Sequence, residues 1–334
     1  MRNIFAEKPI FKHTRRKGAF PVKILSFWLI LAFFIPVLVH SYPALAGERT
    51  AIVVRSQSIA AYTEAIKGFE EGCRKHNISI SGVFDMNGDA DEGKKIVKNL
   101  REEHARPDLI LAVGVLATAL VREQFTDIPV IFCMVINHER FNLEGTNMTG
   151  ISSEASLEDQ FGVLREILGT GRQVGIIYDP TKTGKIIAEA EGVTKRLGFS
   201  LVRAEVGSED EIAAALDGML NKIQALWIVP DGTVVTREAL ETILRVTQKR
   251  RLPVFCTSSA IVKAGALMSI SPDYRHTGLQ AADLAGKLLA NPAVGSLGVR
   301  KPEKLKVTVN TQTAGQIRVD VTPLRSRSDV VFYP

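Results

Sequence analysis

Short β-branched apolar runs alternate along this chain with longer segments in which apolar residues recur every three to four positions. The first pattern predicts strands over residues 51–54, 78–84, 109–113, 130–133, 174–178, 201–206, 225–229 and 254–256. The second predicts helices over 60–76, 92–104, 117–124, 157–168, 184–197, 209–220 and 237–250. Two helix starts carry capping-box spacing, with Ser208 three residues before Glu211 and Ser156 three before Asp159. Strand and helix in alternation imply parallel sheets with helices on both faces.

An internal echo divides this α/β pattern in two. Asp108-Leu-Ile-Leu-Ala-Val leading to Ile128-Pro-Val-Ile-Phe-Cys133 is answered by Ala225-Leu-Trp-Ile-Val leading to Leu252-Pro-Val-Phe-Cys256. Each copy is a strand, a turn, a helix and a strand opened by proline. The repetition predicts two similar doubly wound parallel-sheet lobes, with a seam near Gly150-Ile151-Ser152. In such folds ligands sit beyond the carboxyl ends of the strands. The candidate cleft therefore takes Arg55 to Gln57, Gly114 to Thr118 and Met134 to Asn137 from the first lobe. The second lobe contributes Tyr178 to Thr183, Pro230 to Thr233 and Thr257 to Ser259.

Ahead of the lobes, the uncharged run from Ile24 to Val39 follows Arg15-Arg16-Lys17 and Lys23 and precedes Ala44-Leu45-Ala46. This is the pattern of a secretory signal peptide over residues 1–46, with cleavage expected after Ala46 and a retained membrane anchor as the alternative. The run is shorter than the roughly 20 residues of a spanning helix and carries Pro36. The leader also explains the charge. Of the formal +6, seven Lys and Arg and one acid belong to it, leaving 35 basic and 35 acidic residues. The body has no bulk electrostatic reason to bind nucleic acid. Three widely spaced cysteines, Cys73, Cys133 and Cys256, exclude a disulfide framework, leaving either a single bridge or three buried thiols.

Several chemistries lack their residues. A phosphate-cradling loop before Lys185 would need Gly where Asp179 stands, and Gly169-Thr-Gly171 precedes a strand where a dinucleotide fingerprint follows one. There is no Gly-x-Ser-x-Gly elbow, and His76, His104, His138 and His276 show no paired metal-ligand spacing. No cofactor, metal or catalytic residue is expected, and the protein reads as a binder, not an enzyme. Of the histidines only His138, near a cleft loop, is a binding candidate.

From Ala51 to about Val319 the chain resembles substrate-binding proteins of bacterial ABC importers with the type I periplasmic-binding-protein fold. The branch in question includes aromatic-amino-acid binders. The resemblance rests on Pro107-Asp-Leu-Ile-Leu-Ala-Val-Gly114, Asp127-Ile-Pro-Val-Ile-Phe132, Asn147-Met-Thr-Gly-Ile-Ser152, Gly175-Ile-Ile-Tyr-Asp-Pro180, Pro253-Val-Phe255 and Val262-Lys-Ala-Gly-Ala-Leu267, with Asp273 through Ala282 as a late helix. It departs at Gly114-Val-Leu-Ala-Thr118, where a Gly-Thr-Pro start is common, and at Asp231-Gly232, where a longer polar turn often occurs. The resemblance implies crossing hinge strands near Ser271 and Leu305–Val309. The first lobe is then 47–150 with 270–303 and the second 151–269 with 304–320. Residues 321–334 would form a partly disordered tail.

It also implies a monomer in the periplasm that captures a small polar or amino-acid-like solute and delivers it to an inner-membrane permease driven by a separate ATPase. The candidate site follows. The amides and hydroxyl around Ala117 and Thr118, next to Gly114 and assisted by Ser56 and Gln57, suit a carboxylate. Asp231 is the expected partner of a ligand ammonium, with Asp179, Thr183, Thr233 and Ser258 around it and Met134 and Tyr178 covering apolar surface. Helix capping is the competing reading for Thr118, Thr233 and Asp231, and core packing for Tyr178. A sensory partner of a membrane receptor or kinase and a secreted hydrolase are the alternative functions.

Overall fold

A computed structural model describes residues 49–102 and 106–334, so the leader expected over 1–46 lies outside the described residues. All of these belong to one unit, Gly47–Pro334. The chain opens with β1 (Arg49–Arg55), α1 (Ala60–Lys75), β2 (Ile78–Asp85), α2 (Ala90–Glu102), β3 (Leu109–Val113), α3 (Val115–Gln124), β4 (Val130–Val135) and β5 (Met148–Ser152). It continues through α4 (Leu157–Leu168), β6 (Arg172–Tyr178), α5 (Pro180–Arg196), β7 (Phe199–Glu205), α6 (Ile212–Met219), β8 (Ala225–Ile228), α7 (Arg237–Lys249), β9 (Val254–Cys256), α8 (Ser259–Lys263) and β10 (Met268–Pro272). It ends with α9 (Tyr274–Ala290), β11 (Gly298–Arg300), β12 (Leu305–Asn310), α10 (Thr311–Ile317) and β13 (Val330–Tyr333).

Two sheets result, ordered β11-β5-β4-β3-β1-β2 and β13-β12-β10-β9-β8-β6-β7. Five strands of each, β5-β4-β3-β1-β2 and β10-β9-β8-β6-β7, follow the same winding, and the echoed sequences fall on β3–β4 in one sheet and β8–β9 in the other. Every pairing is parallel except β10 with β12. The apolar strands are covered on both faces, as parallel sheets require. Phe161, Phe199, Trp227 and Phe255 pack with ring centroids 5.0–6.1 Å apart in the second lobe's core.

The chain crosses between the sheets three times: after β5, after β10, and between β11 and β12. The second and third crossings are tied together. The Asp273 N–H donates to the Lys304 carbonyl at 2.9 Å, and the Gln280 amide bonds Lys301 and Glu303. The second crossing brings α9 back onto α1 of the first lobe. There a Cβ on Gly68 would lie 1.9 Å from the Arg275 carbonyl oxygen, and one on Gly278 1.9 Å from that of Ala65. Only glycine lets these two helix backbones approach so closely.

Three expectations need correction. The tail is ordered into the second sheet, with β13 parallel to β12 and Arg327 paired with Asp329 and Glu166. The seam residues 150–152 are the end of β5, so the crossing begins at Ser153. Ser208 caps nothing with its side chain. A 3₁₀ turn over Glu209–Glu211 opens that segment, and Glu211 instead accepts the Gly207 N–H at 2.9 Å. By contrast, Ser156 accepts the Asp159 N–H at 3.1 Å and starts α4. All three cysteines are free and buried, and burial pushes each thiol up to about 12, which leaves them as small apolar groups.

Candidate functional site

The carboxyl ends of β1, β3 and β4 face those of β6, β8 and β9 across a cleft that holds two cavities. The smaller, about 290 Å³, takes Tyr62, Val115, Met134 and Arg140 from the first lobe and Lys182, Pro230 and Gly232 from the second. The larger, about 380 Å³, lies beside the first crossing. His138 and Glu139 come from the first lobe, Glu154 from the crossing, and Leu157, Lys185, Ile186, Trp227 and Val229 from the second lobe. Asn137 and Pro230 line both, so the cavities meet at a shared waist.

The loops around the cleft are also where apolar side chains stay exposed. Ile59, Ile136, Phe141 and Val235 are four of the seven large apolar residues left exposed among the described residues, and all four stand on loops that follow strand ends.

Most of the sequence-predicted residues hold the loops in place. Ser56 accepts the Ala117 N–H at 3.0 Å, while the Thr118 N–H and hydroxyl both donate to the Gly114 carbonyl. The amides and hydroxyl expected to receive a carboxylate are therefore already used. Gly114 has φ +90°, and a Cβ there would lie 2.6 Å from both Ser56 Oγ and Tyr62 Oη. Gln57 is exposed and lines neither cavity. Met134 does line the smaller cavity, with φ +60° where β4 loses register with β5.

In the second lobe, Asp231 is 1% exposed and spoken for. It accepts from the Thr233 N–H at 2.8 Å, the Asp179 N–H at 2.9 Å and the Thr183 hydroxyl at 2.6 Å. This corrects the expectation that it meets a ligand ammonium: a carboxylate with three donors in a closed pocket splices the loop after β8 to the loop after β6. Asp179 caps α5, accepting the Thr181 N–H and hydroxyl and the Thr233 hydroxyl. The Thr181 hydroxyl, with these other donors and Lys182, holds its carboxyl down to about 2. Tyr178 packs in the second lobe's core and donates its hydroxyl to Glu205 at 2.8 Å, so it does not cover a ligand. Ser258 precedes α8 without a side-chain cap and lines neither cavity.

The groups left free are others. Arg140 lines the smaller cavity and makes no ion pair among the described residues. Lys182, across from it, donates to the Thr233 hydroxyl at 2.5 Å and lies 3.5 Å from Asp179, so one of its three N–H donors remains by count. In the larger cavity Glu154 accepts the N–H of Asn137 and has no Lys or Arg partner among the described residues. Burial pushes its carboxyl above the ordinary range, against the pull of the Asn137 and Ser153 N–H groups and of His138. His138 Nδ1 and Ser153 Oγ, in the same corner, are buried without partners. Sequence reasoning missed Arg140 and Glu154. Glu154 lies two residues past the end of β5, and recognising that strand would have placed it among the strand-end candidates.

Among the described residues no cluster of three or more His, Cys, Asp or Glu could hold a metal ion, and no helix is long and apolar enough to cross a membrane.

Comparison with known proteins gives a consistent picture. The tyrosine-binding protein of Clostridioides difficile (strain R20291) is 21% identical over 216 residues, covering 62% of this chain and 62% of that protein's length. Among solved structures, the ligand-free, open form of a substrate binding protein with adhesive properties from Clostridium difficile has a TM-score of 0.75 at 18% identity, covering 85% of this chain and 99% of that one. A Streptococcus pneumonia ABC domain in complex with L-Trp has a TM-score of 0.64 at 19% identity, covering 85% and 100%. These likenesses establish the two-lobed fold. The family model for ABC transporter substrate binding proteins matches residues 51–323, nearly all of the described residues, and the chain belongs to that family.

Proposed function

We propose that this protein captures an aromatic amino acid between its lobes outside the inner membrane and delivers it to a permease powered by a separate ATPase. The observation that carries the reading is the pair of joined cavities, lined from both lobes, with Arg140 and Lys182 at one end and, at the other, Glu154 together with apolar side chains and the exposed pair Glu139 and Lys185. A solute touching both lobes favours the closed form, because only contacts made to both at once shift a hinge equilibrium. The cavity volumes, about 290 and 380 Å³, match a small-molecule site. The ligands of the tyrosine-binding relative and of the L-Trp complex support the choice of class. Export through a cleaved leader would put the receptor where such a permease samples it.

The test is a thermal-shift panel of amino acids, sugars, purines and small carboxylates, followed by calorimetry on the hits. A ligand that binds only the folded protein raises its melting temperature by mass action. L-tyrosine or L-tryptophan should give the largest shifts, saturating at one molecule per chain. A panel in which only sugars or purines stabilise the protein contradicts the amino-acid reading.

A further inference from the structure

An α-amino acid carries its two charges on one carbon, so receptors for both must converge on a single point. Asn137 provides that point. Its N–H is held by Glu154, its carbonyl accepts the Arg140 N–H at 3.0 Å, and its side of the cleft opens into both cavities. Toward one side lie the unpaired Arg140 and the remaining donor of Lys182. Toward the other lies Glu154 on the first crossing. Building on the amino-acid reading above, we propose that Glu154 receives the ligand's α-ammonium and that Arg140 and Lys182 receive its carboxylate, with the side chain directed into the larger cavity.

Three features of this corner point to a missing cationic donor group. Glu154 has backbone N–H partners but no paired cation. A partly buried carboxylate of this kind is costly until a positive charge arrives. His138 Nδ1, on a residue that lines the cavity, and Ser153 Oγ, on the residue before Glu154, are buried without partners, so the polar groups of this corner are incompletely paired. The second lobe adds the apolar side chains Leu157, Ile186, Val229 and Trp227 to this cavity, beside the charged Glu158, Lys185 and Glu189. Because Glu154 belongs to a crossing segment, binding there acts on the hinge as well as on affinity.

The experiment is calorimetry on the mature protein, with L-tyrosine, with 3-(4-hydroxyphenyl)propionate, which lacks the ammonium, and with tyramine, which lacks the carboxylate. Glu154→Gln keeps an oxygen for the Asn137 N–H while removing the charge. It should weaken L-tyrosine by about 30-fold and the propionate by less than about threefold, the loss expected when one member of a buried charge pair goes. Arg140→Gln should show the mirror image, weakening L-tyrosine and the propionate but not tyramine. Unchanged L-tyrosine affinity in Glu154→Gln, or an equal loss on the propionate, overturns the assignment while leaving the amino-acid reading intact. Failure of the wild type to bind L-tyrosine or L-tryptophan overturns the amino-acid reading and the assignment with it.

Discussion

Asp231 and Glu154 are two carboxylates on connections that follow strands beside one cleft, and their surroundings give them opposite roles. Asp231 closes a loop junction with three donors from its own lobe and, 1% exposed, lines neither cavity. Glu154 has backbone donors on one side, a cavity on the other and no Lys or Arg ion-pair partner among the described residues. A charge satisfied by the fold stabilises the fold, and one left short by the fold is available to a ligand. Position after a strand does not separate the two cases; the inventory of donors does.

The largest expected effect falls on the satisfied carboxylate. Asp231→Ala strands the N–H groups of Asp179 and Thr233 and should cost about 3 kcal/mol of unfolding free energy in urea denaturation. The L-tyrosine affinity of the folded variant should change less than about threefold. The reverse outcome, full stability with binding lost, would exchange the roles of the two residues. Next comes Gly114→Ala, which puts a methyl group 2.6 Å from Ser56 Oγ and Tyr62 Oη at a positive φ. A loss of about 2 kcal/mol, read as a lower melting temperature, is expected.

Titration sharpens the contrast further, because the two sides of the cleft shift in opposite directions. Asp179 is held down to about 2 from an ordinary value of 3.8, so its contribution is complete above 3.8 and is lost as pH falls toward about 2. Asp179→Asn should flatten that acid limb. Glu154 is shifted upward, so its ionisation lowers the stability of the free protein as pH rises through its folded pKa. The same ionisation is what an ammonium needs. L-tyrosine affinity should therefore fall on acidification through that range in the wild type and stay flatter in Glu154→Gln. His138, Glu139, Glu158, Lys185 and Glu189 also face this cavity, so the difference between the two proteins is the readout. A parallel pH profile in both would remove the charge from the account.

The smallest effect belongs to Lys185 and Glu139, whose 3.9 Å pair spans the cleft between well-exposed side chains. A double-mutant cycle should return under about 0.5 kcal/mol. A larger coupling would make this pair a latch in the free protein.

The fold was legible because apolar periodicity and the Asp108–Cys133 and Ala225–Cys256 echo report burial directly, and the echo fell on equivalent strands of the two sheets. Short segments were not. β13 has only four residues, between Asp329 and Pro334, and β5 has five with Gly150 at its centre, so both are too short for periodicity to mark them. The strand-end rule found the right loops but the wrong atoms. Thr118 is turned back onto the Gly114 carbonyl and Asp231 into the loop junction it stabilises, facts that depend on an acceptor 2.7 Å from the one and on N–H groups within 3 Å of the other. Arg140 sits in the 3₁₀ turn His138–Phe141 and Glu154 in a crossing, where neither helical nor strand periodicity marks a residue.

The central claim is that one amino acid, gripped from both lobes, draws them together. Small-angle X-ray scattering of the protein from Gly47 onward, with and without saturating L-tyrosine, at concentrations where calorimetry shows full occupancy, measures this directly. The account predicts a smaller radius of gyration with L-tyrosine bound and a smaller change in Glu154→Gln at equal occupancy. Superimposable curves at full occupancy would contradict it.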